Sequence, residues 1–231
     1  MLGIIGAMDV EVNALKNKTD NKAVKSLAGI DFVTGIIENT EVCIAQCSPG
    51  KVNAALCTQA MIDNFDIDAI INIGVACSLD DKVCIKDIVV ADNLCQYDID
   101  ITALGEEKGL INGINKVKIE TAASLSEKLI IAAKNCGNKV HIGTIASGDT
   151  FIASTELKKQ INKDFGAICG EMEGGAIAQV CYINKFPFAA LRTISDGGDE
   201  ATQIDYPSFK EVAAEISCRI IIEYLIKNTK L

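Results

Sequence analysis

"DAIINIGVA", residues 68–76, is the stretch whose reading decides the architecture. After Asp68 it is apolar throughout except for Asn72, with Ile70, Ile71, Ile73 and Val75 falling on both parities. A strand with one face in water alternates polar and apolar residues. An unbroken apolar run of this length is what a strand buried on both faces requires.

Working outward, similar runs recur with helix-period stretches between them. Upstream, "LGIIGAM" (2–8) reads as a strand, and Val10, Ala14 and Leu15 then take helical spacing. "GIDFVTGIIENTEVCIAQCS" (29–48) reads as two strands joined at Glu38-Asn39-Thr40, and "KVNAALCTQAMIDNF" (51–65) as a helix. Downstream, strands are expected in "DIVVADNLCQY" (87–97), "VHIGTIASGD" (140–149), "GAICGEM" (166–172) and "FPFAALRTISD" (186–196). Helices are expected in "TAASLSEKLIIAAKN" (121–135), "STELKKQIN" (154–162) and "EGGAIAQVCYIN" (173–184). A last helix should run from Pro207 to about Lys227, with Val212, Ile216, Ile220 and Tyr224 as its apolar stripe. Strands alternating with helices predict an α/β fold: a central mixed, largely parallel sheet covered on both faces. With no repeat and no linker, residues 1–231 are expected to form one domain.

Composition narrows the function. A net charge of −9 argues against nucleic acid and anionic membrane as partners. No apolar run approaches a membrane span, and the N-terminal "MLGIIGAMDVEV" lacks a basic leader, so a cytoplasmic protein is expected. The ten cysteines are scattered through apolar stretches without a C-x-x-C, which predicts buried free thiols. The single histidine, His141, makes a zinc site improbable and reads as a strand residue. No nicotinamide, flavin or P-loop motif appears.

In doubly covered sheets, ligands bind beyond the carboxyl ends of the strands. That rule selects the segments Met8 to Glu11, Val75 to Ser78, Ser147 to Ile152, Glu171 to Glu173 and Arg192 to Asp196, where the acids Glu11, Asp149, Glu171, Glu173 and Asp196 gather. Asp149 reads as structural. "GEMEGGAI" (170–177) poses the question most sharply, because it sets two acids at the edge of an apolar helix.

"GIIGAMDVEV", "SPGKVNAA", "IINIGVA", "ASGDTFI", "GEMEGGAIAQVC" and "RTISD" together resemble the 5'-methylthioadenosine/S-adenosylhomocysteine nucleosidases of the nucleoside phosphorylase superfamily, along essentially the whole chain. The resemblance implies a three-layer α/β/α sandwich, a homodimer, no cofactor, a small-molecule nucleoside substrate and hydrolysis of an adenine N-glycosidic bond. It implies that Glu11 activates water and that Asp196, oriented by Ser195, serves adenine N7. Met172 and Glu173 would hold the ribose hydroxyls, and Phe151 and Ile152 would meet adenine. Arg192 would help hold the water, while Met8, Cys77 and Tyr206 complete the expected substrate contacts.

The chemistry asks for such a set. Adenine is a poor leaving anion and needs a proton, the ribosyl group becomes cationic, and water must be activated on the opposite face. Gly174-Gly175 would let a helix start close to the ligand.

This chain also departs from the family pattern. Cys77 and Ser78 replace glycines beside the ligand, and Leu104 and Glu106 stand where aromatics reach a partner's pocket. Pro49 and Tyr206 replace an aliphatic residue and a phenylalanine, and "YDID" (97–100) replaces a motif with a His-Asp pair. The competing readings are a phosphorylase, which the two arginines Arg192 and Arg219 argue against, and a nucleoside binder without turnover.

Overall fold

A computed structural model describes residues 1–228. Residues 229–231, the end of the expected single domain, lie outside the described residues. In chain order the strands are β1 (Leu2–Gly6), β2 (Asp20–Leu27), β3 (Ile30–Ile37), β4 (Thr40–Gln46), β5 (Ala69–Ser78), β6 (Ile88–Gln96), β7 (Lys118–Glu120), β8 (Val140–Ser147), β9 (Ala167–Glu171) and β10 (Phe188–Asp196). The helices are α1 (Asp9–Lys18), α2 (Lys51–Asn64), α3 (Ala123–Asn135), α4 (Thr155–Phe165), α5 (Gly174–Ile183) and α6 (Thr202–Asn228).

The opening stretch becomes β5, and β5 is the hub. It pairs in parallel with β1 and β10, and its last residues, Cys77 and Ser78, pair antiparallel with Gly170 and Cys169 of β9. From β1 the sheet continues through β4, β3 and β2. From β9 it passes to β8 and β6, and β6 returns to β10. The strands β5, β9, β8, β6 and β10 therefore close a ring, and the mixed sheet is part barrel and part open extension. Its antiparallel pairings are those of β2 to β4, of β7 on β6, and of the two ring-closing junctions.

Consecutive β5 side chains point to opposite faces, which accounts for the unbroken apolar run. Ile70 joins one core with Ile5, Phe32, Cys57 and Met61 of α2, and Ile177 and Cys181 of α5. Ile71 and Ile73 join the other, with Ile4, Val12 and Leu15 of α1, Leu129 of α3, and Ile220 and Leu225 of α6. Helices thus cover both faces in three layers. A smaller cluster under α4 holds Ile161 and Phe165 against Cys77, Tyr97 and Ile152.

The hairpin at Glu38-Asn39 forms as expected, with positive φ at both residues (47° and 62°), the geometry that matches strand twist. Two strands are not legible in the sequence. β2, "DNKAVKSL", is almost wholly exposed and has no apolar period, so its conformation comes from the ladder with β3. Its Lys22 and Lys25 leave a charged edge that discourages pairing with another chain. β7 is too short to signal.

The last helix starts at Thr202, ahead of the expected Pro207, which lies inside it. Proline is favoured at a helix start, but here it sits in the second turn and leaves Gln203 without its usual N–H partner. The buried stripe is also turned relative to the expected one. Ala213, Ala214, Ser217, Cys218, Ile221 and Leu225 join Ile220 and Tyr224 in the interior, while Val212 is 41% exposed. Small residues at this contact let α6 approach β10 closely enough for Thr193 and Ser217 to share a hydrogen bond of 2.8 Å. All ten cysteines are free; eight are buried, Cys136 is partly covered and Cys84 is exposed.

Truncating the hub should be costly. Ile71→Ala, at a fully buried β5 position, should lose about 2–5 kcal/mol in urea unfolding. Val24→Ala on β2, where the side chain is 62% exposed, should change stability by no more than about 0.5 kcal/mol. Equal losses would contradict the central place of β5.

Candidate active site

The carboxyl ends of β1, β5, β9 and β10 converge on a cavity of about 270 Å³. Its wall takes Met8 and Glu11 from the β1–α1 junction, Val75, Ala76 and Cys77 from β5, and Phe151 and Ile152 from the segment after β8. The end of β9 supplies Glu171, Met172 and Glu173, the end of β10 supplies Ser195 and Asp196, and α6 supplies Tyr206. Ala7, Pro49, Thr150 and Gly170 complete it. Residues almost 200 positions apart meet here because parallel strands end on the same side of the sheet.

Glu11 is 3% exposed. Its Oε2 accepts from the N–H groups of Ala7 (2.7 Å) and Met8 (2.9 Å), as an acid in the first turn of a helix does, and Oε1 accepts from Val75 N–H at 3.0 Å. Burial nevertheless raises its pKa above the ordinary carboxylate value, against those N–H groups and the Arg192 charge. Gly74 makes the close approach possible: a Cβ there would stand 2.6 Å from Glu11 Oε1.

Asp196 faces it from the end of β10. Oδ1 accepts from Gly198 N–H (3.0 Å) and the Thr202 hydroxyl (2.9 Å), and Oδ2 accepts from the Ser195 hydroxyl at 2.8 Å. Burial again raises its pKa, outweighing these donors. Ser195 Oγ also lies 3.3 Å from Ala76 O, so its hydroxyl has a second acceptor when Oδ2 carries a proton.

The two acids of "GEMEGGAI" have different fates. Glu173 is buried, and its Oε1 accepts from Gly50 N–H at 2.8 Å. Burial, with the negative charge of Glu171 beside it, pushes its pKa up to about 8. Glu171 turns inward. Its Oε2 accepts from Arg192 at 2.5 Å and from the N–H groups of Glu173 (3.0 Å) and Gly174 (2.7 Å), and Oε1 accepts from Ser147. Burial opposes its charge, but the Arg192 guanidinium, Ser147 and the Gly174 N–H hold its pKa below the ordinary value.

Three expectations change here. Arg192 does not line the cavity; it is 1% exposed beneath the wall, bonded to Glu171 and to Asn72, because a buried guanidinium must spend its donors on nearby acceptors. Ser78 is also not in the wall, since its hydroxyl donates to Asp80 O at 2.8 Å; only Cys77 of that pair faces the cavity. Gly174 and Gly175 bring α5 close to the sheet, where their Cβ atoms would meet Leu94 and Gln96 at 2.6 and 2.7 Å. Asp149 is structural, as expected: its Oδ1 receives the N–H of Lys51 at the start of α2. Glu171 is the role that sequence reasoning missed. Its acid was visible at a strand end, but its partners stand 21 positions later at Arg192 and 24 earlier at Ser147, and no local spacing links them.

The model of the Phosphorylase superfamily matches residues 1–226. A 5'-methylthioadenosine/S-adenosylhomocysteine nucleosidase of Staphylococcus aureus is 39% identical over 99% of this chain and 100% of its own. Among solved structures, a nucleosidase of the same name from Neisseria meningitidis, in complex with methylthio-immucillin-A, matches with a TM-score of 0.94 at 31% identity, over 98% of each chain. Futalosine hydrolase of Helicobacter pylori matches with a TM-score of 0.93 at 33% identity, over 98% of this chain and 97% of that one. The chain therefore belongs to the phosphorylase superfamily and, within it, to the 5'-methylthioadenosine/S-adenosylhomocysteine nucleosidase family.

The buried acids make stability depend on pH. Glu173 binds its proton more tightly in the folded state than in the unfolded chain, so its contribution is fully present below about pH 4.5 and is lost as pH rises through about 8. Glu173→Gln should therefore flatten the decline in unfolding free energy between those limits, measured by denaturant titration across the range. An unchanged slope would mean that Glu173 does not titrate in this window.

Proposed function

We propose that this protein hydrolyses the N-glycosidic bond of 5'-methylthioadenosine, S-adenosylhomocysteine and related 5'-substituted adenosines, releasing adenine. One observation carries the reading: the cavity wall combines Glu11, Glu173 and Asp196 and includes no basic side chain. A hydrolase needs an acid, a base and negative charge near a cationic ribosyl group. A phosphorylase needs donors for a phosphate anion, which this wall would repel.

The geometry supports the roles that the family resemblance implies. Asp196, with a raised pKa and Oδ2 engaged by a single hydroxyl, is suited to carry a proton to adenine N7. Glu11, desolvated and therefore more basic, accepts the proton of the attacking water. Met172 and Glu173 engage the ribose hydroxyls, the Glu173 carboxyl by hydrogen bonds that orient the ring. Phe151, Ile152 and Cys77 receive the purine. Arg192 serves this set from behind, as a positioning residue that fixes Glu171 and through it the turn carrying Met172 and Glu173.

The proposal includes a single domain, a homodimer and a cytoplasmic location. A sheet that takes strands from residue 2 to residue 196 supports the first. Exposed apolar side chains, Leu104 and Val52 at 78% and Ile183 at 58%, support the second. Free buried thiols suit a reducing compartment. Sedimentation at micromolar concentration should give twice the chain mass; a fully active monomer would refute the dimer.

The reaction is tested by incubating the protein with 5'-methylthioadenosine, with and without phosphate. Adenine and the free sugar should appear at the same rate in both. A sugar phosphate formed only with phosphate would identify a phosphorylase, and no adenine at all would identify a binder.

Asp196→Asn keeps the shape but loses the proton, so kcat should fall about 10²–10⁴-fold with little change in substrate binding. Glu11→Gln should also stop turnover. A substrate with a better leaving group should rescue Asp196→Asn more than Glu11→Gln, and equal rescue would show that the acid and base roles are wrongly assigned.

A further inference from the structure

The hydrogen bonds on Asp196 reach one residue beyond its own donors. Its Oδ1 accepts from Gly198 N–H at 3.0 Å. That N–H belongs to the same peptide group as the Gly197 carbonyl, and Gly197 O accepts from Lys158 Nζ of α4 at 3.0 Å. One peptide plane thus joins an ammonium group to the carboxyl. Gly198 holds a φ of 66° and lies against the end of β5, where a Cβ would stand 3.0 Å from Ser78 O. With glycine on both sides, sterics oppose a flip of this peptide only weakly, so its hydrogen bonds fix which end faces Asp196.

Lys158 is well placed to fix it. Its side chain is 12% exposed, and its other partner, Asp81 at 3.5 Å, is 99% exposed and attracts it weakly. The same helix grips the loop a second time, because Glu200 accepts from the N–H and the hydroxyl of Thr155 at 3.1 and 2.6 Å. The titratable groups beside Asp196 are Cys77 of β5 and Asp205 and Tyr206 of α6. Asp199 of the loop spends its Oδ1 on the Ala201 N–H, and Glu11 and Glu173 share the cavity. Lys158 is the cation of this set.

We propose that Lys158 is a positioning residue for the proton-donating acid, acting on Asp196 through the peptide between Gly197 and Gly198. The role rests on the proposed reaction, in which Asp196 carries the proton to adenine. A cation on the carbonyl polarises the peptide and strengthens its N–H as a donor. It also holds the N–H end, and not the carbonyl end, toward the carboxyl. Both effects favour the ionised carboxylate. Loss of Lys158 therefore raises the pH at which Asp196 gives up its proton, and it loosens the carboxyl from its place at the leaving group.

The experiment follows adenine release from 5'-methylthioadenosine against pH for the wild-type protein, Lys158→Met and Lys158→Arg. Lys158→Met should lower kcat by about three- to tenfold with little change in KM, the size of a hydrogen bond to a charged group. The limb of kcat/KM that falls as pH rises should move up by about half a unit to one unit, because the acid keeps its proton longer. Lys158→Arg, which keeps the charge and the donor, should restore both, and Asp81→Asn should change neither. A loss of kcat with an unmoved limb, or a profile identical to the wild type, overturns the proposal. Should Lys158→Met fold poorly, Lys158→Gln is read in the same way. If no nucleoside releases adenine, the proposed reaction is wrong. The NMR titration of the Asp196 carboxyl carbon, identified by its loss in Asp196→Asn, then decides: its midpoint rises in Lys158→Met if the peptide link acts and stays in place if it does not.

Discussion

The ion pair between Arg192 of β10 and Glu171 of β9 is the constraint on which the site depends. Both side chains are almost fully removed from water, at 1% and 2% exposure, and neither tolerates that without the other. Glu171 converts the pairing into geometry. The oxygen that holds Arg192 also takes the N–H groups of Glu173 and Gly174, so the pair fixes the turn that starts α5. Arg192 in turn binds Asn72 of β5, the hub strand. Three strands and one helix are thus tied at a single point beneath the cavity.

Above that point, the acids are separated by how well each is supplied with donors. Glu171, with a guanidinium, a hydroxyl and two N–H groups, stays ionised and structural. Glu173, with one N–H donor and a negative neighbour, is driven toward its protonated form. Glu11 and Asp196 lie between these extremes, each with three donors and no paired cation, and both pKa values rise. One cavity can therefore hold a proton donor and a proton acceptor without a metal-like concentration of charge, because burial and donor count set each group separately. Tyr206, beside these acids in the wall, donates its hydroxyl to Met8 Sδ and carries Lys210 Nζ over its ring.

The departures from the family pattern sort by position. Cys77 enters the wall, and its thiol lies 3.4 Å from Gly170 O, with burial pushing its pKa well above the ordinary thiol value. It is a neutral space-filling group in the cavity wall. Ser78 is absorbed by its own loop, and Asp98, in the altered "YDID", binds Lys51 and the N–H of Asp149. That network steadies the loop whose Gly50 N–H reaches Glu173. Leu104 lies exposed on a short 3₁₀ turn, away from the cavity of its own chain.

The sequence by itself determined the elements with strong apolar period and the acids that follow them. β5 was legible because a strand buried on both faces has to be apolar on both parities, and Asp196 and Glu11 because they end or closely follow such strands. The tertiary structure alone decided what has no local period. β2 is a strand only because β3 supplies its hydrogen bonds, and α6 begins five residues before its proline because Thr202 is held by Asp196. The fate of each buried charge was decided there too. Arg192 lies behind the wall, and Glu171 is structural while Glu173 is not, because a buried ion takes whichever partners the fold brings within 3 Å, and those partners are distant in the chain.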